Sequence, residues 1–296
     1  MKRIVISGAG GFLGSAIAKR AANKGIPVIA ITTHTDADFG DGGNVTPVMT
    51  EEFFQGKLSL SKEDIFINCM FPTNADGIKM ANGLKNVYQT IRMARECGAG
   101  AMINVSSQSV YPSKRKDPAR ETDQLSLETP YAVGKYSTEE FTNLVFEGLP
   151  HCNVRLASLL GVTYEQRIIN RMVDQALRGE TLRVMGGMQR YGFLDVRDAA
   201  EGFLALAMKD AGTWKETYNL GRNDSCTLLE VAKAIVKDLK EITGIDAQFL
   251  VTEGVDERNS AISADLFEQD VQWKAAISTE QTIRDVIAHK TGKSEK

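Results

Sequence analysis

Tyr131 and Lys135 stand four residues apart in Tyr131-Ala-Val-Gly-Lys135, 24 residues beyond Ser107. On a helix, residues at that spacing share a face. A phenol ordinarily loses its proton near pH about 10, so a tyrosine that works as acid or base at neutral pH needs a nearby cation. An ammonium beside it favours the phenolate by direct attraction, which makes the pair a candidate proton relay. The spacing alone is common on solvated helices, and its surroundings give it weight. Ala101-Met-Ile-Asn-Val105 reads as a buried strand, and Ser106, Ser107, Gln108 and Ser109 follow at its carboxyl end, where ligands bind in open parallel sheets. Ser107 is placed to donate to a substrate oxygen beside the Tyr131 hydroxyl, with Ser109 next to it; the bland alternative is hydroxyls that merely cap a turn.

A second constellation opens the chain. Strand Ile4-Val5-Ile6 runs into Gly8-Ala-Gly-Gly-Phe-Leu-Gly14 and then a helix. Glycines at 8, 11 and 14 allow a tight turn and close backbone approach, and amides at a helix start attract a pyrophosphate. Leu13 stands where the commoner Gly-x-Gly-x-x-Gly pattern needs glycine, so the fingerprint is a variant one. The next strand, Pro27-Val-Ile-Ala-Ile31, leads to Thr32-Thr33-His34. Folds that choose NAD place an acid there to accept from the ribose hydroxyls. With none at that point, NADP is favoured over NAD, while Asp36 or Asp38 supplies the acid if the turn is longer.

Positioning these groups requires a large core, and 296 residues suffice for one or two domains. A net charge of only −3, with no lysine or arginine run, leaves no footprint for nucleic acid or an anionic membrane. Small molecules are the expected partners. No apolar stretch approaches the roughly 18 residues that span a bilayer, and the start runs directly into a strand, so a cytoplasmic protein is expected. Cys69, Cys97, Cys152 and Cys226 are far apart and His34, His151 and His289 are isolated, which suggests neither a disulfide framework nor a metal site.

The expected elements are strands at 3–7, 27–32, 65–69, 101–105 and 153–157 alternating with helices at 14–23, 78–97 and 131–146. Such alternation implies a doubly wound parallel α/β sheet, a Rossmann domain over residues 1–160. Residues 40–57 look poor in helical periodicity. Beyond Gly161 the expected helices are 168–178, 199–208 and 228–239, with a turn at Gly186-Gly187, in a smaller substrate-binding lobe over 161–296 from which some segments return to the sheet. Residues 290–296 read as a disordered end.

Assembled in this order, the chain resembles the extended short-chain dehydrogenase/reductase family, in the epimerase/dehydratase branch that acts on nucleotide sugars, over nearly its whole length. Gly8 to Gly14, with Gly11, Phe12 and Leu13, looks like that family's cofactor turn. Asn68-Cys69-Met70 lies where a strand end meets the nicotinamide side, and Asn86 resembles the asparagine of the long helix. Arg155-Leu-Ala157-Ser-Leu-Leu-Gly161 is similar to the segment closing over the nicotinamide, and Phe193-Leu-Asp-Val-Arg-Asp198 and Tyr218-Asn-Leu-Gly221 match recurring strings. The resemblance implies hydride exchange between nicotinamide C4 and a carbinol or carbonyl carbon. Tyr131 would be the acid/base, Lys135 would lower its pKa and hold the nicotinamide ribose, and Ser107 would polarise the substrate oxygen.

Departures sharpen the expectation. Gln108 and Ser109 stand where family dehydratases carry an acidic pair, so elimination of water is not expected. Ser158 and Val162 replace the frequent asparagine and proline, and Arg190-Tyr191-Gly192 is irregular where an arginine usually meets a nucleotide diphosphate. Arg171, Arg190 and Arg258 are candidates to grip phosphate oxygens, since guanidinium groups do so bidentately; each reads equally as a surface charge. The expected activity is reduction of a ketone on a nucleotide-linked sugar with NADP or NAD. Alternatives are a nucleotide-sugar epimerase, a reductase of a non-sugar ketone, and a dinucleotide-sensing protein without catalysis. Small and apolar residues on outward sides of the helices beginning near Ile78 and Tyr131 suggest a homodimer.

Overall fold

Short apolar strands send successive side chains to opposite faces. In β1 (Ile4–Ser7), Ile4 and Ile6 enter one core while Val5 enters another. All three are fully buried, and each such burial contributes about 1.5–3 kcal/mol. Strands buried on both faces are characteristic of a parallel sheet covered by helices. The computed structural model describes residues 2–34, 36–40, 43–72 and 77–293. In it β1 is joined by β2 (Val28–Thr32), β3 (Val45–Met49), β4 (Ile65–Asn68), β5 (Ala101–Ser107) and β6 (His151–Leu156), in the order β3-β2-β1-β4-β5-β6. A seventh strand, Thr217–Leu220, lies parallel beside β6. The α/β doubly wound fold expected from the sequence is thus present.

Helices α1 (Phe12–Asn23), α2 (Thr50–Phe54), α3 (Gly77–Glu96) and α4 (Pro130–Val145) cover the sheet. Leu13, Ile17, Ala18 and Ala21 of α1 pack on one face, and Val87, Ile91 and Ala94 of α3 on the other, with Phe141 and Val145 of α4 against them. The start of α4 is set locally. Thr129 accepts from the Ala132 amide at 3.1 Å and Pro130 takes the first position, a strong N-terminal signal. That cap puts Tyr131 in the first turn and Lys135 one turn on.

Register aligns Ser7, Asn68, Asn104 and Asn153 across four neighbouring strands. Ser7 donates to Asn68 (2.8 Å), Asn68 to Asn104 (3.0 Å) and Asn104 to Asn153 (3.0 Å) and to Thr138 of α4 (3.1 Å). A one-residue slip would turn every amide to the other face, so this buried row fixes the register that aligns the strand ends.

After β7 (Ser158–Leu160), helix α5 (Ile168–Leu177) and strand β8 (Leu182–Met185) build a second core, while β9 (Arg190–Tyr191) and β10 (Phe193–Asp195) lead to α6 (Val196–Met208). Helix α6 returns to the sheet through Ala199, Ala200 and Phe203, as does the seventh strand, β11. Beyond β12 (Cys226–Thr227), helix α7 (Leu228–Thr243), strand β13 (Phe249–Thr252), α8 (Asp265–Val271) and α9 (Thr279–Thr291) complete the chain. Val231 and Ile235 of α7 and Ile283, Val286 and Ile287 of α9 fill the second core with Ile169 and Val173 of α5.

Several expectations need correction. The stretch expected to be poor in helical periodicity, residues 40–57, holds a strand that was not expected, β3, and only the five-residue helix α2. Lys290 is not in a disordered end: α9 runs through Thr291, and its Lys290 ammonium pairs with Asp174 at 2.9 Å. Residues 294–296 lie outside the described residues. Strand β5 runs two residues past Val105, so Ser106 and Ser107 are its last residues rather than the loop that follows.

Candidate active site

Tyr131 and Ser107 meet at the carboxyl end of the sheet, with Ser107 near enough to draw the Tyr131 phenol down. Ser107 is nearly buried, and Ser109 donates to its oxygen at 3.0 Å. Tyr131 as a whole residue remains 38% exposed. Lys135 is 5% exposed and donates from Nζ to the Val105 carbonyl at 2.8 Å. Its ammonium lies 4.1 Å from the centre of the Phe71 ring and 5.9 Å from that of Tyr131. Phe71 in turn meets the Tyr131 ring edge-on at 5.2 Å. It fits because Gly134 has no side chain: a Cβ there would come within 3.0 Å of the ring.

Electrostatics differ from the simple expectation of lysine tuning tyrosine. Burial pushes the Tyr131 phenol above its ordinary value; Ser107 and then Arg167 pull it back down. Burial also lowers Lys135 to about 8, with Cys69 and Glu139 opposing. Lys135 donates to Val105 and lies over Phe71, while Arg167 is the guanidinium that draws the phenol down. Arg167 stacks over Tyr164 at 4.7 Å, and Tyr164 packs on Phe12 at 4.3 Å between ring centres. Behind the pair, Glu139 accepts from Ser106 and holds Arg155 at 2.8 Å. Arg155 also donates to the Tyr111 hydroxyl at 3.1 Å, and Tyr111 to Asn219 at 2.8 Å.

The glycine turn fits a dinucleotide. Gly8 has φ +68°, and a Cβ on Gly14 would fall 2.3 Å from the Gly8 oxygen. Helix α1 has no side-chain cap and no acid in its first turn, leaving the amides of Phe12, Leu13 and Gly14 for an anion. Cys69 and Met70 lie against the turn, since a Cβ on Gly8 would meet the Met70 amide at 3.0 Å. Thr32 and His34 lie beside Gly10 in the same way, each 2.7 Å from its hypothetical Cβ. Thr32 accepts from the His34 amide at 3.0 Å and Thr33 is exposed. Asp38 is committed to Lys19 (2.8 Å) and the Gly40 amide (2.8 Å). A nicotinamide, when bound, would supply the hydride.

Not every candidate gathers here. Ala157 is buried at the end of β6, but Asn86 is exposed on α3. Arg190 and Arg258 line one cavity of about 320 Å³, together with Arg115 and Lys116. Arg190 donates to Ser225 at 3.0 Å, and Arg258 is bound to Asp256 at 2.8 Å. Arg171 is exposed on α5 and is not part of that cavity's wall. Phe71, Arg115, Glu139, Tyr164 and Arg167 were missed by sequence reasoning. The small residue at 134 and the aromatic at 164 were the available signals.

The profile of the NAD dependent epimerase/dehydratase family matches residues 4–221, and the chain belongs to that family, in the extended short-chain dehydrogenase/reductase branch. It is an NAD-dependent enzyme type by this membership. The dTDP-D-glucose 4,6-dehydratase of Mus musculus is 25% identical over 265 residues, 81% of this chain and 74% of the mouse protein. Among solved structures, the UDP-N-acetylglucosamine 4-epimerase of Methanobrevibacter ruminantium in complex with UDP-N-acetylmuramic acid superposes with a TM-score of 0.83 at 19% identity, covering 99% of each chain. The Bordetella bronchiseptica enzyme WbmH in complex with NAD+ superposes with a TM-score of 0.80 at 18% identity, covering 98% of this chain and 99% of that one.

Proposed function

We propose that the chain transfers hydride between a nicotinamide cofactor and a carbinol or carbonyl of a nucleotide-linked sugar, without eliminating water, and that it works as a ketoreductase. The single observation that carries this reading is the convergence of Ser107, Tyr131 and the buried Lys135 at the sheet's carboxyl end beside an uncapped glycine turn. Ser107, Tyr131 and Lys135 act as catalytic residues in it: Ser107 holds the sugar oxygen, Tyr131 gives it a proton, and Lys135 holds the nicotinamide ribose. Gln108 and Ser109, neutral groups at the strand end, support reduction over dehydration. The cavity bearing Arg190 and Arg258 supports an anionic substrate such as a nucleotide diphosphate.

Thr32, Thr33 and His34 favour NADPH, because none of them carries a carboxylate to repel a 2′-phosphate and Asp38 is already paired with Lys19; Asp36, exposed two residues further on, is the acid that would favour NAD instead. A second reading, epimerisation, uses the same residues, and the superposition on a 4-epimerase favours it. The two differ in cofactor handling. An epimerase retains its cofactor through oxidation and re-reduction, whereas a reductase releases it each turn. Protein purified without added nucleotide is therefore assayed for bound NAD, then mixed with NADPH and a UDP-4-keto-sugar. Rapid NADPH consumption supports reduction; tightly held NAD with no NADPH consumption overturns it in favour of epimerisation.

The reading includes a cytoplasmic homodimer. No helix among the described residues is long and apolar enough to cross a membrane. On the outer sides of α3 and α4, Ile78 (79% exposed) and Leu144 (72%) are bare, which suits a second copy. A strictly monomeric mass by gel filtration across concentrations would remove the dimer.

A further inference from the structure

Arg115 is a half-buried guanidinium whose hydrogen bonds among the described residues end on neutral oxygens. It donates to the Pro112 carbonyl (2.6 Å), the Ala261 carbonyl (2.9 Å from Nη2, 3.3 Å from Nε) and Gln108 Oε1 (3.0 Å). Its plane lies over the Tyr111 ring, 5.7 Å from the centre. Gln108 is the residue between Ser107 and Ser109 at the reactive strand end. Arg115 also lines the cavity that holds Arg190 and Arg258. Backbone bonds tie its surroundings together: Asn259 N donates to Ser113 O (2.9 Å), Asn259 Nδ2 to Arg115 O (3.2 Å), and Arg190 N to Arg258 O (2.8 Å).

An amide side chain has an accepting end and a donating end, whereas a guanidinium only donates. Arg115 therefore captures the oxygen of Gln108 and leaves its nitrogen as the end offered to a ligand. We infer that Arg115 is a positioning residue that fixes Gln108 as a neutral hydrogen-bond donor beside Ser107, and so helps commit the strand end to holding a sugar oxygen rather than protonating a departing hydroxyl. The inference deepens the proposed function and rests on it for its catalytic consequence. Arg115 touches both the cavity wall and Gln108, so it links the place where an anionic group binds to the reacting end.

Two readouts separate this inference from the hydride-transfer reading itself. The first needs no substrate. The Gln108 side-chain amide, assigned in the full chain by loss of its signals in Q108A, should show proton resonances displaced from those of a free glutamine; they move to the free-glutamine positions in R115M and stay displaced in R115K, which keeps a donor. The second is hydride transfer from NADPH to a UDP-4-keto-sugar. R115M and Q108A each lower kcat about tenfold with KM little changed, and the double variant is no slower than either, because residues acting as one unit are non-additive. Unchanged Gln108 resonances in R115M, or losses that multiply, would overturn the inference. If R115M fails to fold, R115K carries the test: free-glutamine resonances despite a native melting curve would equally overturn it. Absence of hydride transfer in the wild type would count against the hydride reading, while the resonances still decide the Arg115–Gln108 arrangement.

Discussion

Lys135 places its ammonium on the face of Phe71, 4.1 Å from the ring centre, while donating to the Val105 carbonyl. Burial in that setting lowers the ammonium to about 8 from its ordinary 10.5. The group is cationic below that pH and neutral above it. Turnover that depends on the cation therefore falls as pH rises through about 8, and K135M removes that limb of the profile while lowering the plateau by about two orders of magnitude or more. A profile flat to pH 10 in the wild type would contradict the assignment.

Glu139 and Arg155 form an ion pair at 2.8 Å with side chains 3% and 7% exposed. Removing one partner leaves a buried charge uncompensated, which costs about 3–5 kcal/mol. Denaturant unfolding of E139A should show a loss of that size; a loss below about 1 kcal/mol would place the pair in the class of surface bridges.

What was legible in the sequence was local. The glycine turn, the tyrosine and lysine one turn apart and the serines at a strand end are each set by short spacing, and each lies where the pattern put it. Phe71 was not legible, because its partners Tyr131 and Lys135 lie some sixty residues downstream and only the packing against Gly134 brings them together. Arg115 was equally hidden, since its partner Ala261 is 146 positions away and is met through a carbonyl rather than a side chain. Helix α9 was overlooked because Thr279–Thr291 carries few apolar residues, only Thr282, Ile283, Val286 and Ile287 being buried. Its register is set by the second core rather than by propensity.

The glycine turn predicts a sharp effect at Gly14. In G14A the new methyl meets the Gly8 oxygen at 2.3 Å, so the turn must open and its amides lose their convergence on an anion. Dinucleotide affinity measured by calorimetry should fall by at least about tenfold. Wild-type affinity in a folded G14A protein would contradict the placement of the pyrophosphate.

Cofactor choice has its own test at His34, which is exposed beside the glycine turn. H34D puts a carboxylate where the ribose phosphate of NADPH would lie, so NADPH affinity drops by about one to two orders of magnitude while NADH is held as well or better. Equal losses for both cofactors would mean that His34 does not face the ribose.

The most direct test of the whole account is Y131F. The phenol is the one group proposed to carry the proton, and its ring contacts with Phe71 survive the substitution. Turnover of NADPH with a UDP-4-keto-sugar should fall by about two to four orders of magnitude while cofactor affinity stays within about twofold. Turnover unchanged from the wild type would contradict the proton-transfer role of Tyr131 and the function built on it.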